Sequence, residues 1–297
     1  MGAANLIGVI TLSPAVDITY GLETVRLGQV NRVQQVTRSP GGKGLNVARV
    51  LKKLGADAVL HAPLGGASGA WIRERLEELQ VNLVETEIQA ETRSAVAVVG
   101  KEVSVFNEPA TPISESELER LEGTLDTVSI AVVTGSVPAS VTVDRFSKFL
   151  GKIKQKSEIL VVDTTGEYLI AASKHADYLK PNLEELLAAT ALTEGPAIAM
   201  LRQQGSRVIL SLGEQGVVLH SQQRVGFRAP KQQGNPTGAG DALTAGFVST
   251  LARLGPASES ESLRFACALS AASILSPVAG DFSPELVTKL LAEVEEA

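Results

Sequence analysis

The chain is punctuated by short, unbroken apolar runs that each stop at small, polar or turn-forming residues. Residues 6–11 run into Ser13-Pro14 and Asp17, 58–62 into Gly65-Gly66, 130–133 into Thr134-Gly135-Ser136, 159–162 into Asp163-Thr164-Thr165-Gly166, 177–179 into Lys180-Pro181-Asn182, and 208–210 into Ser211-Leu212-Gly213. Apolar runs without polar alternation belong to strands covered on both faces, as in parallel sheets. Helical periodicities lie between them. Val47, Val50, Leu51 and Leu54 fall on one helix face before Gly55, and Leu243, Phe247, Leu251 and Leu254 on another before Gly255-Pro256. Ser114 and Glu117 have the spacing of a capping box, and Ser283-Pro284 that of a cap followed by proline at the first helical position. Alternation of this kind predicts a doubly wound α/β fold, mainly parallel, with ligands at the carboxyl ends of the strands. The polar residues that end each run stand at that edge.

Composition narrows what such a fold does. At 297 residues, 44% of them hydrophobic, the chain is long enough to bury a substantial core. Its 27 basic and 33 acidic side chains leave a net charge of −6, and there is no basic block to recruit nucleic acid or an anionic membrane. The one cysteine, Cys267, excludes an intrachain disulfide framework and a multi-cysteine metal site, in keeping with a reducing, cytoplasmic setting. The first twenty residues lack the basic start of a secretory signal, and no apolar run is long enough to span a bilayer.

Two stretches break the rhythm. Residues 16–37 and 83–108 are rich in β-formers with no helix between their strands, and are expected to form a small second sheet, a lid over the substrate. No linker divides the chain, so 1–297 is read as a single domain with two insertions.

Several catalytic motifs are absent. No Gly-Lys pair is followed by Ser or Thr as in a Walker A loop, there is no G-x-G-x-x-G, and the histidines at 61, 175 and 220 lack metal-ligand spacing. What remains is glycine-rich. Asn235-Pro236-Thr237-Gly238-Ala239-Gly240-Asp241 stands directly before an amphipathic helix, where close backbone approach and unpaired first-turn amides favour a phosphate, with the Asp241 carboxylate beside it. A glycine turn with an aspartate cap is the competing structural reading. Gly41-Gly42-Lys43-Gly44-Leu45-Asn46 precedes another helix and supplies a charge and an amide; a flexible connector is its alternative. Asn182 and Glu185 have capping-box spacing, or else Glu185 holds a Mg²⁺ ion near phosphates. Residues 211–216 read as a turn between two strands, or as a hairpin whose amides face a nucleotide.

Taken in order, these motifs resemble the PfkB family of carbohydrate kinases, which has the ribokinase-like fold. The match runs through Gly41-Gly42-Lys43-Gly44-Leu45-Asn46, Lys180-Pro181-Asn182-Leu183-Glu184-Glu185, Ser211-Leu212-Gly213-Glu214-Gln215-Gly216 and Gly238-Ala239-Gly240-Asp241. Further stretches, beginning at Thr11, Val30, Phe106 and Asp163, are similar to the branch of 1-phosphofructokinases and tagatose-6-phosphate kinases. The resemblance implies a kinase that uses ATP and Mg²⁺ on a ketohexose phosphate. It makes Asp241 the catalytic base and Gly238, Ala239 and Gly240 the anion hole. It implies that Asp17, Gly41, Gly42 and Asn46 hold the sugar, while Lys43 and Arg93, with Arg32 as a third candidate, face the phosphate already on it. Ser211, Gly213, Gly216 and Gly240 would line the nucleotide, and Asn182 with Glu185 would organise the metal. Ala70 and Ala110 depart from the family pattern near the expected sugar and lid.

The expected reaction is phosphorylation of fructose 1-phosphate at its 6-hydroxyl, with tagatose 6-phosphate or fructose 6-phosphate at the 1-hydroxyl as the next substrates. A neutral-sugar or nucleoside kinase would have little use for Lys43 and Arg93 together, and a non-catalytic sugar-phosphate sensor little use for Asp241. The exposed edges of a lid sheet are a candidate surface for pairing with a second copy.

Overall fold

A computed structural model describes residues 5–26, 28–100, 103–276 and 278–297. In chain order the strands are β1 (Ile7–Ile10), β2 (Ala15–Gly21), β3 (Gln35–Gly41), β4 (Ala58–Leu64), β5 (Leu83–Glu87), β6 (Ser94–Val99), β7 (Val103–Asn107), β8 (Val128–Thr134), β9 (Ser157–Asp163), β10 (Tyr178–Leu179), β11 (Arg207–Ser211), β12 (Val217–His220), β13 (Arg224–Arg228) and β14 (Glu295–Glu296). The helices are α1 (Lys43–Lys53), α2 (Gly66–Glu78), α3 (Glu115–Gly123), α4 (Val143–Gln155), α5 (Glu167–Ala172), α6 (Leu183–Thr190), α7 (Glu194–Arg202), α8 (Ala239–Leu254), α9 (Glu259–Ser273) and α10 (Pro284–Glu293).

Ten strands form one sheet in the order β14-β13-β12-β11-β10-β9-β8-β1-β4-β5, parallel from β5 through β11 and antiparallel beyond. Successive residues of its central strands go to opposite cores. Ile7, Val9, Ile130, Val132 and Val161 pack with α1, α2 and α8–α10 on one side, and Ile10, Ala131, Val133, Leu160 and Val162 with α3–α7 on the other. The unbroken apolar runs follow from this two-sided burial. Each fully buried branched side chain removes enough apolar surface to contribute about 1.5–3 kcal/mol. Helices α8 and α9 approach closely because Gly246 has no side chain: a Cβ there would sit 2.9 Å from the Ala266 Cα.

The caps read from the sequence are formed. Ser114 and Glu117 close a reciprocal capping box on α3, and the Ser283 hydroxyl accepts the Leu286 N–H ahead of Pro284. Residues 211–216 make the turn between antiparallel β11 and β12, through a short 3-10 segment at Gly213–Gln215.

The second sheet has four strands in the order β3-β2-β6-β7. Its first pair matches the first irregular stretch, but the second stretch is shorter than expected. Residues 83–87 are not in the small sheet: β5 pairs in parallel with β4 at the edge of the large one, Leu60 opposite Leu83. Helix α2 lies between β4 and β5, so the chain completes a strand–helix–strand crossover before it leaves for the small sheet. Ile88, directly after β5, is buried, and its N–H donates to the Leu64 carbonyl at 2.9 Å.

Candidate active site

The carboxyl ends of β3, β8, β9, β10 and β11 and the amino end of α8 surround a cleft of about 1160 Å³, closed on one side by the small sheet. It is lined by Asp17, Gly42, Lys43, Asn46, Arg93, Asn182, Glu185, Ser211, Gly213, Gly216, Gly238, Ala239, Gly240 and Asp241. The motifs scattered along the sequence thus meet in one place.

Asp241 lies in the first turn of α8 and is only 5% exposed. Gly238, the residue before the helix, has φ +82°, and a Cβ there would fall 2.3 Å from the Gly280 nitrogen. Only glycine permits this helix start to press against that loop. The amides of the helix tip differ in one respect from expectation. The Ala239 N–H is taken by the Pro236 carbonyl at 3.1 Å, whereas the N–H groups of Gly238, Gly240 and Asp241 have no acceptor among the described residues. The open donors at the helix tip are therefore those three, and the positive end of the helix dipole adds to them. Asn46 Nδ2 donates to Asp241 Oδ2 at 2.9 Å, while Oδ1 accepts no hydrogen bond among the described residues. Burial pushes the Asp241 carboxyl up to about 6; Lys43, Asn46 and Lys180 pull it down and Asp163 adds to the rise. Its carboxylate is thus a stronger base than an exposed aspartate, yet still ionised at neutral pH.

Lys43 has different neighbours from those expected. Gly42, at φ +84°, turns the chain into α1 and carries Lys43 towards the end of β9, where Nζ lies 2.8 Å from Asp163 Oδ1 and 3.3 Å from Glu185 Oε1. Burial favours its neutral form, but Asp163, Glu185 and Asp241 outweigh that and keep it protonated. Two carboxylates counter this charge, and Lys43 stands in the polar cluster beside Asp241. Asp163 is completely buried at the end of β9, and Lys180, 3% exposed, follows β10 next to it. The Lys180 Nζ is 3.0 Å from Asp163 Oδ2, an ion pair without hydrogen-bond alignment, which leaves Oδ2 as a buried oxygen with no hydrogen-bond partner. Burial raises the Asp163 pKa, but the two lysines more than compensate and hold it below the usual carboxylate range. A Cβ on Gly240 would meet Lys180 Nζ at 3.5 Å, so this ammonium stands at the glycine tip of α8.

Asn182 and Glu185 do form the capping box of α6: the Asn182 Oδ1 accepts the Glu185 N–H at 2.7 Å, and Glu185 Oε2 accepts the Asn182 N–H at 2.9 Å. With its other oxygen on Lys43, Glu185 is fully engaged, and among the described residues no group of three or more His, Cys, Asp or Glu side chains could hold a metal by itself.

At the other end, Asp17 and Arg93 project from the small sheet. A Cβ on Gly41 would fall 1.9 Å from the Asp17 Cγ, so the bare backbone of Gly41 is what gives this carboxyl its place. Burial lifts Asp17 to about 6, opposed by Arg93, Arg49 and the Gly42 N–H. Arg93 Nε donates to the Ser13 hydroxyl at 2.9 Å and Nη1 to the Glu108 carbonyl at 3.0 Å, while Nη2 has no partner among the described residues. A held guanidinium with a spare donor edge suits a phosphate. Arg32 does not join it. It is exposed, outside the cleft lining, in the connection between β2 and β3, where Asn31 bonds the backbone of Arg26 and folds the segment on itself.

At the β11–β12 turn, Ser211, Gly213 and Gly216 line the cleft with Ala271 and Cys267. Gly216 (φ +98°) passes so close to β13 that a Cβ would meet the Phe227 carbonyl at 2.2 Å. Lys180, Ser13, Ser136 and Glu108 border the site without having been assigned a part from sequence. The signals for Lys180 are a lone charge at the end of an apolar run and its place at the head of Lys180-Pro181-Asn182-Leu183-Glu184-Glu185.

Residues 10–286 match the pfkB family of carbohydrate kinases. The chain is 31% identical to a 1-phosphofructokinase of Bacillus subtilis, over 98% of this chain and 99% of the relative. It is also 31% identical to a tagatose-6-phosphate kinase of Staphylococcus epidermidis, over 83% of this chain and 85% of the relative. The structure of phosphofructokinase-2 from Escherichia coli in complex with fructose-6-phosphate superimposes with a TM-score of 0.86, covering 97% of this chain and 98% of that one at 27% identity.

Proposed function

This chain belongs to the pfkB family of carbohydrate kinases, and from that premise we propose that it transfers the terminal phosphoryl group of ATP to a free hydroxyl of a ketohexose phosphate. The observation that carries the reading is the place of Asp241: a buried carboxylate with one unpaired oxygen, in a cleft with the open amides of a helix tip on one side and the Asp17–Arg93 pair on the other. The two ends suit two anionic substrates. Relatives named 1-phosphofructokinase and tagatose-6-phosphate kinase match nearly all or most of the chain, which supports a phosphorylated ketohexose over a neutral sugar.

Phosphoryl transfer needs alignment and neutralisation of charge. In the reading proposed, Arg93 receives the phosphate already on the sugar and Asp17 accepts a sugar hydroxyl hydrogen bond. Asp241 Oδ1 accepts the proton of the attacking hydroxyl as its oxygen bonds to the terminal phosphorus; the bond from phosphorus to the leaving ADP breaks, and its electron pair remains on ADP. The N–H groups of Gly238, Gly240 and Asp241, with Lys180, stabilise charge on the transferring group. Magnesium is commonly held by one or two carboxylates, phosphates and several waters. The carboxylates beside the helix tip are Asp163, whose two oxygens lie 2.8 Å from Lys43 and 3.0 Å from Lys180, and Glu185, occupied by Asn182 and Lys43, so both would hold the ion through water. Bound there, the ion would neutralise phosphate charge.

Fructose 1-phosphate is the substrate favoured here, because the 1-phosphofructokinase relative is matched along 98% of the chain. Tagatose 6-phosphate stands second, on a relative of equal identity. The test is ADP formation by the purified protein with ATP and Mg²⁺ over a panel of free and phosphorylated ketohexoses. Turnover confined to phosphorylated ketohexoses and abolished by excess chelator is expected; no turnover on any of them, or a preference for free sugars, would refute the reading. The small sheet leaves Val36, Val105 and Phe106 exposed, and it is proposed as the surface on which two copies pair, with sedimentation of a Phe106→Glu variant as the check: a wild-type dimer that becomes a monomer is expected.

A further inference from the structure

Arg49 lies on α1, three residues after Asn46, half-buried and outside the cleft lining. It therefore touches neither substrate. Its Nη1 donates to the Pro40 carbonyl at 3.0 Å and to Asn46 Oδ1 at 3.3 Å, and Asn46 Nδ2 in turn donates to Asp241 Oδ2. We propose that Arg49 is a positioning residue for the catalytic base, fixing which end of the Asn46 amide faces Asp241. This rests on the reading of Asp241 as the base.

A primary amide has two ends of nearly equal size, one accepting and one donating. Asn46 is buried, and both ends of its amide are held, one by Asp241 and the other by Arg49. The freedom left to it is a half-turn of the amide. Arg49 can only donate, and an ionised Asp241 can only accept. With the oxygen towards Arg49 and the nitrogen towards Asp241, both contacts are satisfied; turned over, both become repulsive. Arg49 breaks the symmetry and commits the amide to donate to one oxygen of Asp241, leaving the other for the proton of the attacking hydroxyl. The charged groups facing Asp241 are Lys43 on α1, Asp163 at the end of β9 and Lys180 after β10, with Arg49 behind Asn46 and close enough to feel the same carboxylate.

The titration of Asp241 reads this directly and needs no turnover. It is followed by ¹³C NMR of aspartate-labelled protein, with Asp241→Asn assigning the resonance. Arg49→Met should move the titration up by about one pH unit, because the ionised form loses an oriented donor. Asn46→Ala should do the same. In the Asn46→Ala background, Arg49→Met should add less than about a quarter of its single effect, since its route to Asp241 is gone. An unchanged titration in Arg49→Met, or full additivity with Asn46→Ala, would overturn the inference. Should Arg49→Met fail to fold, Arg49→Gln serves: an amide that both donates and accepts no longer selects one orientation of Asn46, and the same upward move is expected. In the kinase assay, Arg49→Met should lower kcat by about tenfold with KM for ATP little changed. Absence of turnover in the unmodified protein would count against the proposed function, whereas an unmoved titration would count against Arg49 alone.

Discussion

Replacing Asp241 with asparagine should cost activity and return stability, and the structure gives a size to both. The side chain is 5% exposed, and burial lifts its pKa from the ordinary 3.8 to about 6. At about 1.36 kcal/mol per pH unit, keeping it ionised in the fold destabilises the protein by about 3 kcal/mol. The sign follows from linkage. The folded state holds this proton more tightly than the unfolded chain, so the group's stabilising contribution is complete below the unfolded value of 3.8 and is lost as pH rises through about 6. Asparagine has the shape and an acceptor oxygen for Asn46 but never ionises. With an unfolding entropy of about 2.1 cal/mol/K per residue, 3 kcal/mol corresponds to a rise in Tm of about 5 °C for this chain. Thermal melts of both proteins at about pH 8 and pH 4.5 measure it: the variant should melt higher at the alkaline pH, with the gap largely closed at the acidic one. Turnover should fall by about 10²–10⁴-fold, the worth of a positioned base. A variant that keeps its rate would remove Asp241 from the chemistry. One that is no more stable at alkaline pH would show that the buried carboxylate is not held ionised against its environment.

The acid limb of kcat/KM should have an apparent pKa near 6, set by Asp241, with activity falling as pH drops because the base must be ionised; a limb in the ordinary carboxylate range, near 4, would contradict the burial argument. Arg93→Ala should raise KM for a phosphorylated sugar by about 10–100-fold, the loss expected for a charge-assisted contact, and change KM for ATP by less than about twofold. Steady-state kinetics in each substrate separates the two. Gly41→Ala places a Cβ 1.9 Å from the Asp17 Cγ, so the carboxyl must move; kcat/KM for the sugar should drop by about tenfold or more while the melting temperature moves little.

The order of apolar runs and helical periodicities was enough to define the layers, because a strand buried on both faces must be apolar throughout and a helix on its surface must be amphipathic. The caps at Ser114, Asn182 and Ser283 were legible for a similar reason: a helix end is satisfied by residues within one turn of it. That Asp241, Asn46 and glycines of the two helix starts stand on one cleft was legible too, since each lies at a helix start that local sequence marks. The second irregular stretch was read too long, as β-rich composition does not reveal the partner of a strand; β5 joins the large sheet through pairing with β4, set by the crossover through α2. Arg32 stayed in solvent while Lys180, unassigned, reached the helix tip. Lys43 lies 120 residues from Asp163 and 142 from Glu185, yet is bonded to both. Long, charged side chains can serve any acceptor within reach, and sequence spacing carries no information about which acceptor that will be. The fold decided it by ending β9 and β10 side by side below the start of α1, where burial obliges each charge to find its opposite.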